Sequence, residues 1–534
     1  MDLSDLIERN AQFAPAKPAI QFAGKSLSYG QLAQRIGETA RAFKSQLSVR
    51  AGDGVAILAA NHPDYLALLY ACARLGTMLV PLNWRLAVPE LTFIVRDAAV
   101  KVLVVEQAFD PAVEALRTAL PDVRIVGLDY APAQGVALAA LLQGAEGDGR
   151  NPLVDTSSPL LIVYTSGTTG YPKGAVLRQE ALVWNALMSQ HMHDMTAQDH
   201  VLTVLPMFHV GGLNIQTTPA LQLGATITLH DRFAAATTLA AIERERPTLT
   251  VLVPATIQAL LEHPRWQTTP LDSLRAVTTG STQVPQRLVD AFVSRGVPVL
   301  QVYGSTETSP IAVYTRLCGD WRRPGSTGLP GLVCEAKIVD EIGNEVAHGT
   351  TGEIVVRGRN LLCEYWGNAQ ATAEALRDGW YVSGDLGSRD ADGHFFIHDR
   401  KKNLIISGGE NIYPAEVERV LASHPALSDA AVVGRPDPRW QEVPVAFVIR
   451  RADAAVTAGE LEAFCREQLA RYKVPRDIVF VDALPRNAMG KVQHFRLKQL
   501  LSADVAAAEM ASPAEITQAD PPQRPRRSPF GGKR

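Results

Sequence analysis

The stretch Y-T-S-G-T-T-G-Y-P-K-G, Tyr164 to Gly174, decides how this chain is read. It gathers three glycines, four Ser/Thr hydroxyls (Thr165, Ser166, Thr168 and Thr169) and Lys173 in one short segment. The residues before it, P-L-L-I-V from Pro159 to Val163, are apolar and predict a buried strand. A Gly-rich turn at a strand end lets backbone N–H groups close around an anion. The hydroxyls add donors and Lys173 adds a compact positive charge, which suits nucleotide phosphates. It is not the common phosphate loop G-x-x-x-x-G-K-[ST], because Tyr171 and Pro172 separate Gly170 from Lys173.

Outward from this segment, strand-like runs alternate with helical patterns through the first 300 residues or so. The runs are Val55–Leu58, Val102–Val105, Val201–Leu205, Thr226–Leu229, Leu249–Val253 and Val299–Tyr303. Between them lie amphipathic segments such as Tyr29 to Leu47, where Leu32, Ile36, Phe43 and Leu47 share a face. This alternation predicts an α/β fold of helix-covered sheets, with ligand loops at the carboxyl ends of strands. After about residue 320 the texture changes to short strands, such as Ala336–Val339 and Gly352–Arg357, separated by Gly turns. They predict a small β-rich subdomain.

Another change near Arg400 divides the chain. Residues 1–400 are expected to form a large domain and 401–503 a small α/β domain, with helices at Val417–Ala422 and Leu461–Leu469. Residues 504–534, rich in Pro and Arg from Ser512 onward, read as a disordered tail. The length of 534 residues is too great for one core, and the 46% hydrophobic, 20% charged composition is that of an ordinary globular protein. A net charge of −3 gives no basic footprint for nucleic acid. The five cysteines form no C-x-x-C pair, which fits a reducing compartment and argues against zinc. There is neither a basic-then-apolar leader nor a run of about 18 apolar residues. A cytoplasmic location is expected, with peripheral membrane contact left open.

Four further clusters carry chemistry. Y-G-S-T-E, Tyr303 to Glu307, follows a predicted strand and offers an aromatic for a base, a glycine, two hydroxyls and a carboxylate suited to Mg²⁺. G-D-L, Gly384 to Leu386, places Asp385 where it can accept the hydroxyls of a ribose. D-R-K-K-N-L-I-I-S-G-G-E-N-I-Y-P-A-E-V-E, Asp399 to Glu418, marks the domain boundary. L-P-R-N-A-M-G-K-V runs from Leu484 to Val492.

In this order the five clusters resemble the adenylate-forming superfamily: acyl-CoA synthetases, adenylation domains of peptide synthetases and luciferases. The resemblance covers Leu3 to Leu501. It implies an AMP-forming reaction in which a carboxylate attacks the α-phosphate of ATP and CoA then displaces AMP, with Mg²⁺ as the metal. The attacking acid is already ionised at neutral pH, so catalysis reduces to positioning and to offsetting anionic repulsion.

The resemblance also implies roles. Thr165, Ser166, Gly167, Thr168, Thr169, Gly170 and Lys173 hold the β- and γ-phosphates. Thr165 and Glu307 attend the metal. Gly280, Ser281, Tyr303, Gly304 and Ser305 surround the adenine, Thr306 reaches the α-phosphate, and Asp385 and Arg400 hold the ribose. Lys491 bridges the acid and the α-phosphate, and Lys402 is the hinge on which the small domain swings. Ser407, Gly408, Gly409 and Trp440 serve CoA, and Arg471, Lys473 and Arg476 could pair with its phosphates. A homodimer is expected by analogy alone.

On the acid side, His209, Val210, Gly212 and Gly304 are the expected pocket, with His209 as a gate. His209 stands where amino-acid-activating relatives carry Asp, which disfavours an amino acid. No arginine in Leu205–Leu213 is available for a second carboxylate. The expected substrate is a medium- or long-chain fatty acid first and a hydroxycinnamate- or benzoate-type acid second. Transfer of the acyl group to a carrier protein is the alternative second step. The pair His191 and His193 reads as a solvated helix face rather than a metal site.

Overall fold

The computed structural model describes residues 1–165, 172–280, 284–319, 321–407, 410–452, 454–486 and 491–509. Two large sheets carry the first half of the chain, one of nine strands and one of eight. In the nine-stranded sheet, Pro18–Phe22, Thr226–Leu229, His200–Thr203, Leu249–Val251, Ala276–Gly280 and Val299–Tyr303 run parallel. In the eight-stranded sheet, Pro159–Thr165 lies parallel to Met78–Pro81 and antiparallel to Lys173–Arg178.

The strands are apolar on both faces because both faces are covered. One core joins the sheets: Val55, Leu79 and Leu161 from the eight-stranded sheet meet Val201 and Ala276 from the nine-stranded one. Leu32, Ile36 and Phe43 of the helix Tyr29–Ser45, and Met188 and Met192 of Gln179–His193, fill the space between them. A second core covers the far face of the eight-stranded sheet. A third covers the far face of the nine-stranded sheet, with Leu239, Leu260 and Phe292. The order is therefore helix, sheet, helix, sheet, helix, and each fully buried large apolar side chain contributes about 1.5–3 kcal/mol.

Two expected strands are shorter than the apolar runs suggest. Val201–Leu205 ends at Thr203, where His230 N–H takes the last carbonyl, and the chain turns at Pro206. Leu249–Val253 ends at Val251, because Val253 caps the helix that Pro254 starts. The β-rich subdomain is a five-stranded antiparallel sheet that includes Cys334–Val339, Gly352–Gly358, Trp380–Arg389 and Phe395–Arg400.

Past Arg400 a separate five-stranded sheet carries its own cores. Ile405, Val417 and Leu461 lie in one, and Val433, Phe447 and Leu497 in the other. The last helix, His494–Glu509, runs beyond residue 503, the expected start of the tail. The tail from 510 lies outside the described residues. Among the described residues no helix is long and apolar enough to cross a membrane.

Candidate active site

Thr165, Gly280 and Tyr303 lie at the carboxyl ends of their strands, where open α/β sheets place ligands. The strands Ala276–Gly280 and Val299–Tyr303 lie side by side, pairing Gly280 with Val302. A Cβ on Gly280 would sit 2.4 Å from the Val302 carbonyl oxygen, and one on Gly304 would sit 1.8 Å from that of Pro310. Both positions therefore require glycine. Beyond Gly304 the chain tightens into a short helix, Thr306–Thr308, whose entry is fixed by Ser305 N–H donating to Thr308 Oγ1 at 2.9 Å.

That turn buries Glu307, which is 7% exposed. Tyr365 donates its hydroxyl to Glu307 Oε1 at 2.7 Å, and the Arg400 guanidinium lies near enough to interact with its charge. A buried carboxylate gains from a further cation, and as a hard oxygen ligand Glu307 fits a divalent ion. Three or more metal-ligating side chains do not cluster anywhere among the described residues. The same Tyr365 lies under Lys173, whose Nζ is 5.5 Å from the ring centroid. Thr165 faces Lys173 across the hairpin, with Oγ1 3.5 Å from the Lys173 carbonyl oxygen. Ser166, Gly167, Thr168, Thr169, Gly170 and Ser281 lie outside the described residues.

Asp385 and Arg400 face each other as cross-strand partners. Arg400 Nε lies 2.9 Å from Asp385 Oδ1 as an ion pair, yet no acceptor meets Nε–H in hydrogen-bond geometry. Tyr303 donates its hydroxyl to Asp385 Oδ2 at 2.9 Å, tying the aromatic ring to the carboxylate. Lys491 reaches this group from the small C-terminal unit. Burial pushes its ammonium down to about 8, helped by Arg400 and Lys402 and opposed by Asp385 and Asp399. Burial, with Arg400 nearby, also lowers Lys402. Arg400, Lys402 and Lys491 thus bring three cationic side chains beside Asp385 and Asp399, an arrangement suited to a polyanion.

The residues expected to meet CoA form a separate group. Ser407 pairs with Gln441, so it lies beside Trp440 at the tip of the hairpin that joins Leu427–Asp437 to Gln441–Arg450. Trp440 is 42% exposed, with the Arg439 guanidinium 4.9 Å from its ring. Lys473 is engaged elsewhere, donating to both oxygens of Glu416 at 2.8 and 2.7 Å. Gly408 and Gly409 lie outside the described residues.

On the acid side, His209 precedes the helix Val210–Asn214, and a Cβ on Gly212 would meet the Pro206 carbonyl oxygen at 2.3 Å. His209 Nε2 is buried without a hydrogen-bond partner, and burial beside Arg85 pushes the ring down to about 4, so it is neutral. Arg85 also lies over Trp84 and 5.9 Å from the Phe208 ring, a cation the local reading of Leu205–Leu213 did not include.

The expectation for His193 needs correction. It is fully buried rather than solvated, and its Nε2 contacts Thr278 Oγ1 at 2.8 Å. Its helix is covered by both sheets, so the polar residue faces a core and finds its partners there. Tyr365 also gives no sign in the sequence that it belongs to the site: a single tyrosine in a strand-like segment carries no spacing signal.

Comparison with known proteins bears on this arrangement. Residues 7–366 match the AMP-binding enzyme family, and residues 416–491 match the AMP-binding enzyme C-terminal domain. The chain is 49% identical to an indoleacetate–CoA ligase of Aromatoleum aromaticum, over 94% of this chain and 98% of that one. It is 38% identical to a feruloyl-CoA synthase of an Amycolatopsis species, over 91% and 96%. The o-succinylbenzoate CoA synthetase of Bacillus subtilis, solved with its acyl-adenylate, superposes with a TM-score of 0.84 at 32% identity, covering 93% of this chain and 98% of that one. That enzyme is also solved with ATP and a magnesium ion. The chain belongs to the AMP-binding enzyme family, the adenylate-forming superfamily, and within it to the CoA-ligase type.

Proposed function

We propose that this chain joins an aryl carboxylic acid, of the arylacetate or hydroxycinnamate kind, to CoA through an acyl-adenylate. The observation that carries the two-step reading is Lys491: a lysine of the C-terminal unit shares one site with Asp385 and Arg400 of the large one. Likeness to an indoleacetate–CoA ligase and a feruloyl-CoA synthase supports the aryl acid over the fatty acid that sequence patterning favoured.

In the first step a carboxylate oxygen attacks the α-phosphorus of ATP and pyrophosphate leaves. Lys491 brings the two anions together and Thr306 donates to the α-phosphate. Asp385 and Arg400 hold the ribose, and Lys173 the outer phosphates. Glu307 and Thr165 would hold Mg²⁺, which would supply positive charge to offset that of the phosphates. In the second step the CoA sulfur attacks the acyl carbon and AMP departs. For that step the small unit turns about Lys402, withdrawing Lys491 and bringing Ser407 and its glycines to the acyl group, while Trp440 stacks on the CoA adenine.

The test is AMP release from ATP and Mg²⁺ over a panel of acids from acetate to oleate, with indoleacetate, ferulate and benzoate, with and without CoA. The expected maximum falls on an aryl acid and requires CoA. A maximum on a fatty acid overturns the substrate reading, and release indifferent to CoA overturns the acceptor.

A further inference from the structure

The segment Asn360–Trp366 joins two sides of the proposed ATP site. It leaves the β-rich sheet after Gly352–Gly358 and forms the short strand Glu364–Tyr365, which pairs antiparallel with Lys173–Arg178 of the eight-stranded sheet. There Cys363 N–H donates to the Val176 carbonyl oxygen at 2.9 Å, and Trp366 N–H to that of Gly174 at 2.7 Å. The same segment grips the turn Thr306–Thr308, which follows the strand Val299–Tyr303 of the nine-stranded sheet. Leu362 N–H donates to the Glu307 carbonyl oxygen at 2.8 Å, and the Tyr365 hydroxyl to its carboxylate at 2.7 Å.

Asn360 completes this grip from a fully buried position. Its Nδ2 lies 2.9 Å from the Thr308 carbonyl oxygen and 2.8 Å from that of Ile311. Both partners can only accept, so the orientation of the amide is fixed, with its two N–H bonds toward the turn. One side chain thus closes both ends of the segment by which the chain leaves Glu307. The turn has little to hold itself. It is a 3₁₀ helix of three residues, and Ser309 after it takes the left-handed φ of +71° that a serine disfavours. A conformation of this kind persists where its surroundings determine it.

We propose that Asn360 is a positioning residue for adenylation: its two N–H bonds set the turn so that Glu307 stands in register with Lys173. It touches no substrate and acts through the main chain that presents Glu307. Groups that offset developing charge work when they are held to within about 0.5 Å of the productive geometry, and supporting residues supply that precision. The inference rests on the roles proposed above for Glu307 and Lys173, and adds that the register between them runs through Asn360–Trp366.

The experiment measures equilibrium binding of Mg²⁺ATP and of AMP by calorimetry, without acid, beside thioester formation from supplied acyl-AMP. Asn360→Asp keeps the shape of the side chain and loses its N–H donors; Asn360→Ala removes them without adding charge. Both are expected to weaken Mg²⁺ATP binding by about tenfold or more, while AMP binding and thioester formation change by less than about threefold. Thermal melting reports whether each variant folds. A residue that only stabilises the fold would lower the melting temperature and leave the ratio of the two affinities as it is. That result in a folded variant overturns the inference, and so does the failure of both variants to fold. Glu307→Gln separates the inference from the reading beneath it, and is expected to weaken Mg²⁺ATP binding as well. If it leaves the ratio unmoved, the metal role of Glu307 falls and the inference with it. If it moves the ratio and the Asn360 variants do not, the inference alone falls.

Discussion

Glu307 and Asp385 are each 7% exposed and already held by tyrosine hydroxyls, whereas Trp440 stands on a hairpin tip with 42% of its surface open. The first group is pre-organised on the large unit and meets Lys491 in a covered space; the second is spread over the small unit. The difference matches the chemistry proposed for each. Joining two anions benefits most from fixed charges in a site that excludes water. Thiol attack on an activated acyl group needs access, and a hairpin tip can deliver it by moving.

The comparison is broken first at Lys491. Lys491→Ala is expected to slow acyl-AMP formation by about 10²–10³-fold. Thioester formation from supplied acyl-AMP should be spared, and equal loss of both steps would remove the lysine from the covered group. Lys402→Pro should do the reverse, because proline fixes φ and restrains a turn there. Thioester formation should drop by about tenfold to a hundredfold while pyrophosphate release persists; unchanged thioester synthesis sinks the hinge.

Smaller effects sharpen the contrast. Tyr365→Phe removes a donor to a buried carboxylate, a loss of about 1.5–3 kcal/mol. It is expected to change the Mg²⁺ dependence of adenylation by about tenfold or more, and an unaltered Mg²⁺ titration would show the phenol to be packing only. Trp440→Ala should raise the KM for CoA by about tenfold without touching pyrophosphate release, if the ring stacks on a base. Equal CoA dependence in the variant refutes the stack.

The pH profile is a further check. The Lys491 ammonium is lowered to about 8 and is charged below that value. Adenylation by the free enzyme should therefore decline as pH rises through about 8. A profile flat through that range contradicts a cationic role for this lysine in the free enzyme.

Much of this was legible in the chain, for identifiable reasons. The layered α/β fold follows from short apolar runs alternating with periodic helices, and strands shortened only where Pro206 or Pro254 intervened. Asp385 and Arg400 were named from separate motifs, and antiparallel pairing is what makes them neighbours. Tyr365 was not legible, because its value depends on touching Glu307 and Lys173, which lie far from it in sequence. His193 was misread for a related reason: a histidine near a helix end looks solvated until a second sheet covers it.

The glycines at 212, 280 and 304 have one property in common. What a side chain would strike at each is a main-chain carbonyl oxygen, at 2.3, 2.4 and 1.8 Å. No compensating change of a neighbouring side chain can make room for it. In evolutionary terms these are one-letter positions, so part of the wall shared by the proposed acid and adenine sites has no alphabet to vary. Diversification of substrate must then fall on positions such as His209, whose side chain can be exchanged without moving the main chain.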